Sequence, residues 1–444
     1  MSQLHDHDAV AAAASEGSTD DAAQEPPLSR RAAWKASTFA ALEVPTYRLL
    51  WYGGVFSFLA VQMQVVARAA LAFDLTGTNA SLGTVMFWFG LPMLLLTPFG
   101  GVAADRLSKR GVILVSQWLI IVSSVLLAAA LIFDVIEFWM LPASSAVQAV
   151  AFAFLGPSRM AFTSELVGRQ RLGNAVVLQQ MSMNGTRVFG PSLAGMLIGI
   201  AWFGYEGAYL TTAVLTIVAT LMTMRLPPGR PADGTTSKRP LREFVDGVRY
   251  VRANPNLALL LLVSLVVVMS AFPYISFLAS LSKEIFGKGN SGLGFMYGAT
   301  AIGAVSASLF IAGRSSGPNV WKLQAAAGAM FGFGLVLLSV TPTFIASLFV
   351  LVLVGGATSA FQALNNTMVL MGSESIFHGR IQSLMMLSFS GFGLMALPLG
   401  IVADAIGLRT TFTIMGSVTM AAMGVYYLVR PSIDRRYPLL DHTE

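Results

Sequence analysis

Gly100-Gly101-Val102-Ala103-Ala104-Asp105-Arg106-Leu107-Ser108-Lys109-Arg110 lies between two long apolar runs. Four charges crowd into its last six residues, Asp105 to Arg110. A hairpin between two membrane spans needs few residues, so this composition is specific. Gly100 and Gly101 allow a helix to approach a neighbour closely. Arg106, Lys109 and Arg110 follow within a turn of Asp105 and mark a loop held on the cytoplasmic side of a bilayer.

Composition makes the membrane the solvent. The chain has 444 residues, of which 55% are hydrophobic and only 11% charged, with a mean hydropathy of +0.69. A soluble domain carries about 25% charged residues, and 11% cannot cover a water-facing surface of this size. There is no cysteine, which excludes disulfides, thiolate metal sites and cysteine nucleophiles. His5, His7, His378 and His442 all stand outside the apolar runs, so histidine relays within the bilayer are excluded too.

Twelve apolar runs reach the roughly 20 residues that a helix needs to cross a bilayer. They lie near 47–73, 80–104, 111–133, 138–160, 174–200, 206–225, 257–281, 291–313, 320–341, 343–371, 380–403 and 408–429, and are numbered spans 1 to 12. The opening stretch joins spans 2 and 3. Residues 1–44 read as a cytoplasmic tail, polar and Ala-rich, with a short surface helix near Trp34 to Glu43. Residues 45–225 form a first six-helix bundle and 257–430 a second. The linker 226–256 carries Pro227, Pro228, Pro231 and Pro240, then a surface helix with Phe244, Val248 and Val251 at helical spacing. Residues 431–444 are a second cytoplasmic tail.

Of the 28 Lys and Arg residues, all but five fall on the side of the N-terminus. Lys283, Lys288 and Arg409 fall on the other side, and Arg68 and Arg187 within spans. Both termini are therefore expected in the cytoplasm. The net charge of +6 reflects topology and gives no sign of a nucleic-acid partner. The halves also echo each other. Asp74-Leu-Thr-Gly-Thr-Asn-Ala-Ser-Leu-Gly83 leads from span 1 to 2, as Glu284-Ile-Phe-Gly-Lys-Gly-Asn-Ser-Gly-Leu-Gly294 leads from span 7 to 8.

The opening stretch closely resembles the loop signature of the major facilitator superfamily, Gly-x-x-x-Asp-Arg-x-Gly-Arg-Arg. Gly101, Asp105, Arg106, Lys109 and Arg110 match it, and Ser108 replaces a glycine. A second resemblance, to the drug and siderophore exporter branch, covers roughly residues 45 to 430. It rests on Arg48-Leu-Leu-Trp51, Asp74-Leu-Thr-Gly77, Gly156-Pro-Ser-Arg159, Glu165-Leu-Val167, Leu172-Gly-Asn-Ala175 and Asn184-Gly-Thr-Arg-Val-Phe-Gly-Pro191. Tyr250-Val-Arg-Ala-Asn-Pro255 and Gly379-Arg380 complete it.

The resemblance implies an all-α membrane protein of twelve transmembrane helices in two pseudo-symmetric six-helix bundles, set in the plasma membrane (the inner membrane of a bacterium). It implies a substrate site between the bundles at mid-depth. It also implies a latch, in which Asp105 meets the start of span 11 at Gly379 and Arg380 while Arg106, Arg159 and Glu165 hold it in place. Gly185, Gly190, Pro191 and Gly195 on span 5 resemble the antiporter motif, with Thr186 in place of one glycine. Physically, Pro191 removes a backbone hydrogen bond and the glycines allow close packing, so this helix can bend.

Arg187 lies about halfway along span 5, where a cation usually faces a cavity or a partner. Arg68 stands nearer an outer end; it joins the cavity or coupling candidates, and outward snorkelling is the reading that competes with that role. In-span amides also need a partner or a cavity, which makes Asn184, Gln62, Gln64, Asn365 and Asn366 candidates to line one. Proton carriers are scarce. Asp74 leads, ahead of Asp404 and Glu165. Gln148 occupies the stretch of span 4 where the superfamily usually has an arginine. The expected activity is proton-coupled export of a small amphipathic compound, without a cofactor. There is no Gly-x-x-x-x-Gly-Lys-Ser/Thr phosphate loop for ATP, and no paired acids, histidine or nucleophile–base set within the spans for an intramembrane enzyme. An importer of the same fold and a non-transporting sensor are the alternative readings.

Overall fold

Proline, glycine and apolar length set where each helix starts and stops in the computed structural model of the chain. It describes residues 40–200, 202–229, 240–312, 319–374 and 377–436. Most of the expected N-terminal tail, part of the linker and the last eight residues lie outside these, as do the side chains of Asp105 and Arg380 and the setting of Gly379. Met1–Ala40 is a separate unit of which only Ala40 is described; the chain from Ala41 forms the other.

Spans 1 to 3 are the helices Pro45–Thr76, Asn79–Arg106 and Lys109–Ile132. Spans 4 and 5 run through Met140–Ile198, broken at Gly168, whose φ of 68° suits glycine. Span 6 is Gly204–Met224, and the linker helix is Pro240–Ala253. Spans 8 to 12 are Gly289–Ala312, Val320–Val340, Phe344–Met371, His378–Ile406 and Leu408–Arg436. Among the described residues, ten helices are long and apolar enough to cross a membrane. The second part of the long helix, 169–198, and His378–Ile406 complete the twelve.

Span 7 departs from the single run expected over 257–281. It comprises Pro255–Ser270, Tyr274–Ser280 and a π-turn at Leu281–Ile285. The break falls at Pro273, which cannot donate a backbone hydrogen bond and crowds the preceding turn. The π-turn swings Lys283 inward from the loop position that its sequence number suggested.

Each bundle is tied internally by buried polar side chains, and the two sets of ties match. In the first, Gln64 of span 1 donates to Ser124 of span 3 and to Thr212 of span 6, the latter at 3.4 Å, and Gln148 of span 4 donates to Gln64 Oε1 at 2.7 Å. In the second, Asn365 of span 10 donates to Ser264 of span 7 at 3.2 Å and accepts from Gln324 of span 9 at 2.8 Å. Tyr426 of span 12 donates to Gln324 Oε1 at 2.8 Å and accepts from Arg430 at 2.7 Å. Spans 1, 3, 4 and 6 thus correspond to spans 7, 9, 10 and 12. Lipid tails offer no hydrogen bonds, so these bonds are the alternative to unsatisfied polar groups in hydrocarbon. Each bundle is accordingly tied across its own helices at this depth. Large apolar side chains such as Leu309, Phe349 and Leu428, each 75% exposed, face outward, where the bilayer would cover them.

Candidate transport site and gates

Span 1 begins and span 12 finishes at one end of the molecule, here the near end. The bundles join at the other, far end. Span 2 packs against span 11, and span 5 against span 8. The first pair approaches so closely that a Cβ on Gly400 would lie 2.5 Å from the Asn79 carbonyl oxygen, and one on Gly393 2.5 Å from that of Met86. In the second, Gly195 would bring a Cβ within 2.5 Å of the Gly294 Cα. Gly195 is thus a packing point between bundles, whereas Gly190 packs within the first bundle on Gln62 of span 1 and Gly185 meets open space.

Charges reinforce the far-end seal. Asp404, near the end of span 11, accepts from the backbone N–H groups of Asn79 and Ala80 at 2.7 and 2.8 Å. It caps span 2 from the other bundle, where free N–H groups and the helix dipole favour an anion. Asp74 of span 1 pairs with Lys283 of span 7 at 2.6 Å. Lys283 also donates to the Ala70 carbonyl at 3.0 Å and to the Tyr205 hydroxyl at 3.1 Å. Tyr205 of span 6 in turn donates to Asp74 and lies 3.2 Å from Asn290 Oδ1 at the start of span 8. Asp74 therefore belongs to a cluster drawn from four spans.

At mid-depth, Arg187 of span 5 reaches across the interface and donates to Gln362 Oε1 of span 10 at 3.1 Å. Its side chain is exposed, as is that of Asn184 one turn earlier; Asn366 is half-buried. These groups hold open polar positions near the meeting plane of the bundles.

Three expected cavity residues are placed elsewhere. Gln64 and Asn365 are buried in the ties described above. Arg68 does not snorkel: it is 1% exposed and donates to Gln148 Oε1, with Ser144 at 3.5 Å. In-span amides can answer their need for a partner inside one bundle, and these do. Gln148, standing where the superfamily usually has arginine, receives a cation from span 1 instead.

The near-end loop is anchored within the first bundle. Lys109, nearly buried, pairs with Glu165 of span 4 at 2.9 Å. Arg110 donates to the Leu226 carbonyl at 2.8 Å, and its backbone N–H to Pro228 at 3.3 Å. Gly100 packs tightly on Ala153 of span 4, while Gly101 faces open space. Arg106 is exposed. Arg159 donates to the Leu50 carbonyl of span 1 at 2.5 Å. The linker helix bears on spans 2 and 11. Its Tyr250 stacks on Phe377 with centroids 4.0 Å apart and accepts from the Glu374 N–H at 3.1 Å.

A family model described as "transmembrane secretion effector" matches residues 36–435. The chain belongs to that family, and is a major facilitator transporter and not an enzyme. It is 24% identical over 373 residues to the staphyloferrin A transporter of Staphylococcus aureus, covering 81% of this chain and 90% of that protein. It is 25% identical over 356 residues to the enterobactin exporter EntS of Shigella flexneri, covering 77% and 80%. Among solved structures, the fold is similar to a bacterial homologue of the human lysosomal transporter Spinster in an inward-facing, unoccupied conformation. There the TM-score is 0.68 at 14% identity, covering 88% of this chain and 98% of that one. The nucleoside transporter NupG is also similar, with a TM-score of 0.62 at 15% identity, covering 88% and 99%.

Proposed function

We propose that the chain exports a small amphipathic compound of the siderophore or drug class by alternating access, in exchange for protons, with both termini in the cytoplasm. The observation that carries this reading is the Arg187–Gln362 bond between the bundles, beneath a seal at the far end. A cation kept at mid-depth is costly unless it serves a cavity or a partner. There it selects oxygen-rich, acidic ligands, because charge-assisted hydrogen bonds from a planar guanidinium to such oxygens are strong and directional. The names of the staphyloferrin A and enterobactin relatives support the substrate class. With the near end in the cytoplasm, the far-end seal makes this the inward-facing state.

Asp74 is the coupling group in this reading. Protonation from the far side removes its charge, weakens its hold on Lys283 and releases the seal, which couples a proton to the opening through which the substrate leaves. Purified protein in liposomes, offered a panel of siderophores and amphipathic drugs, should move at least one of them faster with an imposed pH gradient than without. Equal rates would remove the proton from the account, and no flux of any compound would favour a sensor. Everted vesicles separate export from import by the direction of accumulation.

Orientation has its own test, made simple by the absence of cysteine. A cysteine at position 288 should react with an impermeant maleimide in intact cells, and one at position 238 should react only after lysis. Labelling of position 238 in intact cells would invert the topology.

A further inference from the structure

The far end of the seam between spans 5 and 8 carries a feature that transport does not use. A groove of about 260 Å³ opens there, lined by Met196, Gly199, Ile200, Ser291 and Phe295. One wall comes from each bundle. The walls meet at Gly199, where a Cβ would lie 2.6 Å from the Ser291 hydroxyl oxygen. One turn back along span 5 is the close approach of Gly195 to Gly294.

Helix periodicity sets the direction in which the groove faces. On span 8, Phe295, Ile302 and Leu309 are all exposed and recur every two turns. On span 5, Phe189, Leu193 and Met196 are exposed along one face, with Ile200 just past the helix end. Phe189 stands two residues, about 200°, round the helix from Arg187. This apolar stripe thus points away from the face that bonds Gln362. Met196 also lies about 13 Å further along span 5 than Arg187, at a rise of ~1.5 Å per residue, with the Gly195–Gly294 contact between them. The groove therefore joins two bilayer-facing stripes and is set apart from the transport site.

Its rim is polar. Lys288 is exposed at the start of span 8, three residues before Ser291. Glu284, on the preceding turn, accepts from the Ser280 hydroxyl at 3.0 Å, and Asp74 is taken by Lys283. Trp202, 83% exposed and two residues past Ile200, marks the level at which aromatic belts meet the headgroups. The volume equals roughly eight waters at ~30 Å³ each, below the roughly 300–1,000 Å³ of sites for drug-sized ligands. It suits a length of acyl chain. We propose that the groove binds one phospholipid of the far leaflet, its chain between Met196, Ile200 and Phe295 and its phosphate beside Lys288 and Ser291. The lipid touches both bundles, so its binding stabilises the arrangement closed at the far end and needs no transported substrate.

The test uses the purified full-length protein, stripped of lipid in detergent and titrated with dioleoyl phosphatidylglycerol. A ligand that binds only the folded state raises stability once its concentration exceeds the dissociation constant. The melting temperature should therefore rise saturably, and native mass spectrometry should show a single retained lipid. Ile200→Trp, which fills the groove, should lose both signals. Lys288→Gln, at an exposed position that leaves the fold intact, should weaken binding roughly fivefold, the worth of one cation beside an anionic lipid. Leu309→Trp, on the same stripe of span 8 but away from the groove, should bind as wild type does. Equal binding by wild type, Ile200→Trp and Lys288→Gln would overturn the proposal in favour of ordinary bilayer contact. The same rise produced by glycerol phosphate alone would overturn it by making the rim a simple anion site. Displacement of the retained lipid by a transported compound would overturn it by placing the groove in the transport path.

Discussion

Arg187→Ala abolishes transport while the protein still inserts, purifies and melts cooperatively. The expectation follows from position. Arg187 is exposed at the meeting plane of the bundles and bonded to Gln362 across it. A hydrogen bond to a charged group contributes about 1.5–3 kcal/mol, so losing the guanidinium should weaken substrate handling by roughly 10- to 150-fold. Arg187→Lys should recover only part of this, because a compact ammonium keeps the charge but loses the planar fork. Melting temperature and transport separate a functional role from a structural one. Wild-type transport by the alanine variant would remove Arg187 from the substrate path.

Asp74→Asn shifts the conformational equilibrium away from far-end closure. The Asp74–Lys283 pair joins span 1 to span 7, with side-chain exposures of 39% for Asp74 and 11% for Lys283. Fully exposed pairs contribute about 0–1 kcal/mol, and breaking a fully buried one costs about 3–5. This pair lies between those limits, and solvent reaches Asp74, so about 1–2 kcal/mol is the expected loss. That corresponds to a five- to thirty-fold change in population. Lys283→Met should shift the balance the same way, and exchanging the two charges should restore part of the closure. If Asp74 also carries the coupling proton, Asp74→Asn will remove the stimulation of transport by a pH gradient, and the charge exchange will not bring it back. A variant that keeps both its conformational balance and its pH response would leave the pair a surface contact.

The fold was legible because lipid imposes few solutions. Residues Gly100 to Arg110 and eleven uninterrupted apolar runs lead to the helices observed, and Leu241 to Arg252 to the linker helix, which starts one residue earlier at Pro240. Residues 257–281 give one unbroken apolar run although Pro273 marks its break, since hydropathy averages over a single proline. The site was less legible. Arg187 stood out because a mid-span arginine is conspicuous in any apolar run. Gln64, Arg68 and Asn365 looked equally polar, yet they serve neighbours within one bundle. The choice between partner and cavity depends on helix rotation, which pattern alone does not encode. Lys283 follows the apolar run and so looks like a loop cation, because the π-turn Leu281–Ile285 that contains it has no local signature. Asp404 looked like a helix-end acid, and only the packing of span 11 on span 2 turns it into a cap on the opposite bundle.

The central claim is that two internally tied bundles rock about a mid-depth site. The chain has no native cysteine, so spin labels can be placed in pairs without background. One pair, at Leu107 and Glu374, reports the near ends of spans 2 and 11; the other, at Thr78 and Ile406, reports their far ends. Distance distributions measured in wild type and in Asp74→Asn should move in opposite directions, the far-end pair separating as the near-end pair closes. Two distances that stay fixed, or that lengthen together, in a protein still able to transport would contradict alternating access.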